Sequence, residues 1–148
     1  MSISIVTHKD IDPIISIAQL AMHESVEASI ETKDKLLISI QQDIERYLTR
    51  PSSYLKYTDG KIAGYILIKK YWNLAHLFVA PSAHRKGIGK ALWSSALRIC
   101  KKENTEGFIR VNSSLNAVTF YRKLGFSNFT PEQPTPEFAV PLIYRLDQ

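Results

Sequence analysis

The chain of 148 residues lacks the features of a disulfide-stabilised, secreted or membrane-spanning protein. Its single cysteine, Cys100, excludes an internal disulfide, which fits a reducing compartment. No apolar run reaches the roughly 18 residues that a membrane-spanning helix needs. The first residues also lack the basic start and apolar run of a signal peptide. We therefore expect a cytoplasmic protein without a membrane partner.

Disorder and low-complexity sequence are equally absent. With 45% hydrophobic and 22% charged residues, the composition is that of a folded protein, and we expect one domain over residues 1–148. The formal net charge of +5 favours phosphate-bearing ligands and permits a nucleic-acid partner. We expect no nucleic-acid partner, however, because the basic residues gather at one turn and form no stripe interleaved with aromatic residues.

The hydrophobic periodicity predicts an α/β fold with the element order βαα-βββ-αβαβ-β, in which helices cover both faces of a mixed sheet. Asp12-Pro13 is the expected start of the first helix, and Pro51 ends the second. Asp59-Gly60 predicts a tight turn between two strands. The expected elements after that turn are strands at 62–69, 71–79, 108–111, 126–129 and 138–146, and helices after Gly87 and at 117–124.

Residues 77–92 form the most informative segment. A short apolar run ends at Pro81, a basic and glycine-spaced turn follows, and helical periodicity begins at Ile88. Such a corner collects free backbone N–H groups and cations at a helix N-terminus, which suits a di- or polyphosphate. It is not a Walker A loop, because His84 occupies the position of that loop's first glycine and Ala91 replaces its Ser/Thr.

The turn His84-Arg85-Lys86-Gly87-Ile88-Gly89 resembles motif A of the GNAT superfamily of coenzyme A-dependent N-acyltransferases, whose core is Gln/Arg-x-x-Gly-x-Gly/Ala. Further along the chain, residues 116–126 are similar to that superfamily's motif B. The resemblance implies a GNAT-like fold with a mostly antiparallel central sheet of about six or seven strands and about four helices. It also implies N-acetyl transfer from acetyl-CoA to an amine by direct attack, without a metal.

The resemblance places acetyl-CoA along the strand before the turn and over the turn itself. Backbone groups of the strand would pair with the pantetheine arm, backbone N–H groups of the turn would bind the pyrophosphate, and basic side chains would add charge. The residues implied in this way are Leu77, Phe78, Val79, His84, Arg85, Lys86, Gly87, Ile88, Gly89, Lys90, Phe120 and Lys123.

Two positions depart from the family pattern. His84 replaces the usual Gln or Arg of motif A. The asparagine often found seven residues before the motif B tyrosine is Ser114 here, between Asn112 and Asn116. The sequence leaves open which of these three side chains meets the cofactor.

The resemblance implies that Tyr121 is the general acid that protonates the departing thiolate. A backbone N–H of Phe78 or Val79 would polarise the thioester carbonyl. The alternative for Tyr121 is a packing role only.

The general base stays open. Asn73 matches the position of the base in several relatives and could hold a water molecule. His76 titrates in a useful range, but strict alternation puts it on the opposite face of the strand from Asn73 unless a bulge intervenes. Glu24 and Glu27, near the end of the first helix, are further candidates, with a solvated helix end as their alternative.

The acceptor is expected to be an amine of a small molecule or a peptide, and a small molecule is favoured because no extra domain is seen for docking a protein. A homodimer is compatible with the resemblance, since dimers are common in the superfamily. The main alternative function is a sensor that binds acyl-CoA without catalysis, because no obvious base is present.

Overall fold

The computed structural model describes residues 2–25, 29–136 and 139–147. Its elements, in chain order, are β1 (Ser2–Ile5), α1 (Ile11–Ser25), α2 (Ile30–Arg46), β2 (Ser52–Asp59), β3 (Lys61–Lys69), β4 (Asn73–Val79), α3 (Ile88–Glu103), β5 (Phe108–Ser114), α4 (Val118–Leu124), β6 (Ser127–Asn128) and β7 (Ala139–Arg145). Short 3-10 turns precede α1, α3 and α4.

The seven strands form one sheet in the order β1-β2-β3-β4-β5-β7-β6. All neighbouring pairs are antiparallel except β4 and β5, which run parallel. The predicted α/β fold, with a mostly antiparallel sheet and four helices, is therefore confirmed.

The central strand β3 contributes residues to two hydrophobic cores, one on each face of the sheet. Every residue from Ala63 to Ile68 is buried, which is the pattern of a strand covered on both faces. Tyr65 and Leu67 pack with residues of α1 and α2 on one face. Ile66 and Ile68 pack with residues of α3 and α4 on the other face. Helices thus cover both faces of the sheet, as the periodicity predicted.

The first helix and β4 do not begin where the sequence predicted. The first helix begins at Ile11 instead of Asp12-Pro13, because the carboxylate of Asp10 accepts the Thr7 N–H at 2.8 Å and caps the preceding turn. Strand β4, predicted to begin at Tyr71, begins at Asn73. Lys70 and Tyr71 have φ angles of 53° and 67° and make the turn between β3 and β4.

No helix in the described part of the chain is long and apolar enough to cross a membrane. At the C-terminal end, the last strand begins at Ala139, and the predicted start of that strand at Phe138 lies outside the described residues.

Candidate active site

The sheet opens between β4 and β5. Their parallel pairing is confined to Asn73 with Arg110 and Leu74 with Val111. On its other edge, β4 stays paired with β3 as far as Val79, with a register shift that leaves Ala75 as an extra residue. The two parallel strands therefore part after their first residues, and one edge of β4 is left without a neighbouring strand.

The register decides which backbone groups face this opening. The N–H of Ala80 donates to the carbonyl of Ala63 at 2.8 Å, so these two residues form a hydrogen-bonded pair. Because such pairs alternate along an antiparallel ladder, Phe78 bonds to β3, whereas Leu77 and Val79 turn their N–H and C=O groups toward β5. Of the two predicted donors to the thioester, Val79 thus has the available N–H.

A cleft of about 1050 Å³ follows this opening through the sheet. One end is bounded by the turn after β4, the N-terminus of α3, and α4. The other end is bounded by α1, α2 and the side chains of β4 that face them. We call these the cofactor end, after the expectation from motif A, and the acceptor end.

The turn at the cofactor end has an unusual backbone. Arg85 has a φ of 66° and Gly87 a φ of 74°, and Gly87 is the N-cap of α3. The first helical hydrogen bond runs from the N–H of Ala91 to the carbonyl of Gly87 at 3.0 Å. The N–H groups of the first helical turn therefore have no acceptor within the helix and are available to an anion.

Gly89 lines the cleft and also has a packing role. A Cβ built at this position would lie 3.2 Å from Cζ of Phe120. The absence of a side chain at Gly89 therefore makes room for the Phe120 ring, and thereby joins the start of α3 to α4.

His84 lies at the mouth of the cofactor end. Its Nε2 is 3.0 Å from the carbonyl oxygen of Val79, and because a carbonyl only accepts, Nε2–H is the donor. His84 thus contacts the free edge of β4 through its ring, where the family motif has Gln or Arg.

Most of the predicted cofactor residues line the cleft. The exceptions are Lys86 and Lys123, which are exposed on the surface. Asn112, Ser114 and Asn116 all line it, so the structure leaves the choice among these three open.

Tyr121 lies in the cleft wall with only 6% of its surface exposed. Its ring packs against Phe120 and Phe126 at centroid distances of 5.2 and 5.3 Å. Burial raises the pKa of its hydroxyl well above the usual value. The side chain therefore packs in the core and at the same time presents a protonated hydroxyl group beside the cleft.

At the acceptor end, the bulge at Ala75 brings two predicted residues to one face. Asn73 lies opposite Lys69, and His76 lies opposite Leu67, so both face α1 and α2. His76 is only 2% exposed. Its Nδ1 lies 3.1 Å from the Tyr65 hydroxyl, and burial lowers its pKa below 6.5.

A carboxylate that was not among the predicted site residues lies beside His76. Asp43 of α2 places Oδ2 3.4 Å from Nε2 of His76 and 2.6 Å from Nζ of Lys69. Burial alone would raise the pKa of Asp43, but the contacts with His76 and Lys69 outweigh it and hold the pKa below 3.8. A signal was present, because Asp43 falls on the buried stripe of α2 beside Ile44.

The other predicted base candidates lie elsewhere. Glu24 is exposed on α1 and does not line the cleft, and Glu27 lies outside the described residues. Within those residues, no group of three or more His, Cys, Asp or Glu side chains could hold a metal ion. Transfer without a metal stays a prediction.

Comparison with known proteins identifies the family. Residues 21–137 match the model of the acetyltransferase (GNAT) domain. The chain belongs to the GNAT acetyltransferase family. This family consists of acetyl-CoA-dependent acyltransferases, so the resemblance of the turn and of residues 116–126 is confirmed.

Among curated GNAT relatives, the peptidyl-lysine N-acetyltransferase YiaC of Escherichia coli is 32% identical over 83 residues, which are 55% of this chain and 54% of that enzyme. The match therefore spans about half of the curated relative. A GCN5-related N-acetyltransferase from Rhodopseudomonas palustris has a TM-score of 0.81 at 15% identity, covering 97% of this chain and 94% of that chain.

The PaiA N-acetyltransferase of Thermoplasma acidophilum, solved in complex with coenzyme A, has a TM-score of 0.76 at 21% identity. The match covers 98% of this chain and 99% of that chain. At this level of identity, the two solved structures support the GNAT fold alone.

Proposed function

We propose that this GNAT protein transfers the acetyl group of acetyl-CoA to a primary amine by direct attack. One observation carries the proposal: the free edge of β4, the turn at the N-terminus of α3, and the side chain of Tyr121 all lie on one cleft. Membership of an acetyl-CoA-dependent family supports the same reaction.

Acetyl-CoA fits the cofactor end by the chemistry of the groups found there. The outward N–H and C=O groups of Leu77 suit an amide of the pantetheine arm. The free N–H groups at the start of α3, with Arg85 and Lys90, suit the pyrophosphate. The bound thioester would supply the acetyl group, and the Val79 N–H would polarise its carbonyl.

Tyr121 would act as the general acid. Tyr121 lines the cleft, and its hydroxyl is protonated at neutral pH, so it can donate a proton to the departing thiolate. None of the hydrogen bonds found among the described residues uses this hydroxyl, which leaves it available to the reacting groups.

The acceptor would be a primary amine on a small molecule or a peptide. The curated relative acts on peptidyl-lysine, and a lysine side chain is therefore a reasonable first probe. Asn73 lies at the cleft and would hold a water molecule. We place the protein in the cytoplasm, where its buried Cys100 would stay reduced.

The test is an acceptor screen with acetyl-CoA, in which release of free thiol is measured over blocked lysine, polyamines and amino acids. Turnover with at least one amine is expected. A sensor would bind acetyl-CoA without turnover on any of them. If calorimetry detects no binding of acetyl-CoA at millimolar concentration, both the acetyltransferase and the sensor functions are overturned.

A further inference from the structure

We propose that Asp43 is the anion that binds the ammonium group of the acceptor, that His76 holds it in place, and that the positive charge of Lys69 limits its affinity for a second cation. The inference rests on the proposed function, because it names the group at the acceptor end that recognises the amine. Asp43, Lys69 and His76 come from α2, β3 and β4 and all line the cleft.

One oxygen of Asp43 is left for a ligand. The contacts with Lys69 and His76 are both made to Oδ2. No hydrogen bond or ion pair found among the described residues uses Oδ1. Since every buried side-chain oxygen and nitrogen in that part of the chain has a partner, Oδ1 is accessible to solvent, and Asp43 lines the cleft. It can accept a hydrogen bond from an incoming N–H group.

The surrounding walls fit an alkyl chain that ends in a cation. Met22, Leu36, Ile40 and Phe78 line this end of the cleft beside Asp43. Apolar walls with a single carboxylate suit an aliphatic primary amine, whose stem is apolar and whose head is charged.

His76 fits a positioning role better than the role of base. Because the Asp43 carboxylate only accepts, Nε2 carries the proton, and Nδ1 then accepts from the Tyr65 hydroxyl. Each ring nitrogen has a polar neighbour within the protein, and only 2% of the residue is exposed. An amine in the cleft would therefore meet Asp43 and not the imidazole.

Lys69 should oppose the ligand that Asp43 attracts. Its ammonium group neutralises Oδ2 and repels a second cation close by. The two members of this ion pair should consequently affect amine binding in opposite directions. A pair that only stabilised the fold would have no such difference in sign.

The experiment measures binding of n-pentylamine hydrochloride by protein NMR, with and without coenzyme A, and uses 1-pentanol as the neutral control ligand. The wild type should bind the ammonium saturably and the alcohol more weakly. Asp43→Asn should weaken amine binding about tenfold or more, and Lys69→Met should strengthen it about threefold. Equal weakening by both variants, or no effect of Asp43→Asn, would overturn the proposal.

The chain offers a matched control pair. Lys56 and Asp10 are also 2.6 Å apart, and their side chains are 18% and 10% exposed, against 21% and 11% for Lys69 and Asp43. Neither residue lines the cleft. Lys56→Met and Asp10→Asn should leave amine affinity unchanged. If Asp43→Asn does not fold, Lys69→Met decides: tighter binding supports the proposal, and unchanged or weaker binding overturns it.

The role of His76 has its own readout. His76→Gln can still donate to Asp43 and should keep amine affinity, whereas His76→Leu should lower it several-fold with coenzyme A affinity unchanged. Equal loss in both variants would overturn the positioning role. Because the amine titration needs no turnover, its result is independent of whether coenzyme A binds or any amine is acetylated.

Discussion

The two ends of the cleft are built in opposite ways. The cofactor end comes largely from one continuous segment, residues 77–92, and offers backbone groups on an exposed turn. The acceptor end joins Asp43, Lys69 and His76 from three elements and offers buried side chains. A ligand bound through backbone groups needs a local conformation, whereas a ligand bound through side chains depends on how distant elements pack.

The largest expected effect concerns Tyr121, which α4 contributes to the cleft. Tyr121→Phe should lower the turnover number about 10²–10⁴-fold, the usual contribution of a general acid, and change the KM for acetyl-CoA by less than about twofold. Steady-state kinetics measure both. Tyr144→Phe is the control, because Tyr144 also packs against Phe126 but does not line the cleft. Equal losses in both variants would reduce Tyr121 to a packing residue.

The cofactor end can be disturbed through its backbone alone. Gly87 and Gly60 both have a φ of 74°, and a Cβ at either position meets no atom within 4 Å. Gly87→Ala and Gly60→Ala should each lower the free energy of unfolding by about 1 kcal/mol, because alanine is strained in this conformation. Only Gly87→Ala should also weaken coenzyme A binding, roughly tenfold by calorimetry. If both variants bind coenzyme A with the same affinity, the turn at Gly87 is not part of the cofactor site.

At the acceptor end, we expect His76 to make the stability of the protein depend on pH. The pKa of His76 is lower in the folded protein than its ordinary 6.5, so the unfolded chain binds the proton more readily. The neutral form of His76 therefore contributes fully to the free energy of unfolding above about pH 6.5. As the pH falls below this value, the free energy of unfolding decreases by at most about 1.4 kcal/mol per pH unit. Urea unfolding from pH 7.5 to about pH 5.5 should show a smaller loss in His76→Gln. The exposed His23→Gln is the control, and an unchanged slope in His76→Gln would contradict the prediction.

The smallest expected effect concerns single charges at the cofactor end. Lys90→Gln should weaken coenzyme A binding only about two- to fivefold, because an exposed charge contributes roughly 0.3–1 kcal/mol at a helix end. The difference should shrink as salt is added. Lys101→Gln, at the other end of the same helix, should have no effect. If the two variants behave alike, the charge of Lys90 does not serve the cofactor.

Local features of the fold were predictable because their causes are local. Asp59-Gly60 makes the predicted turn between β2 and β3, with Gly60 at a φ of 74°. The apolar periodicity from Ile88 onward gives α3, and Gly125 ends α4 with a φ of 111°. The turn at Lys70 and Tyr71 was not predictable, because neither residue is of a type that favours a positive φ.

In the candidate site, too, residues that depend on local sequence were predicted, whereas residues that depend on distant contacts were not. Residues 84–90 were predicted from the turn and its family resemblance, and the structure places most of them on the cleft. Strict alternation would put Asn73 and His76 on opposite faces, but a bulge was left open by the sequence, and the extra residue Ala75 brings the two side chains to one face. Asp43 carries a charge on the apolar stripe of α2, but its partners lie dozens of residues away.

The sequence by itself determined the family and the element order and predicted the cofactor end, because short motifs and hydrophobic periodicity act between near neighbours in the chain. Only the tertiary structure decided that β4 parts from β5, that Val79 rather than Phe78 faces the opening, and that Asp43 meets His76 and Lys69. The physical reason is that strand register, bulges and buried ion pairs depend on packing between distant segments, which local sequence patterns do not encode.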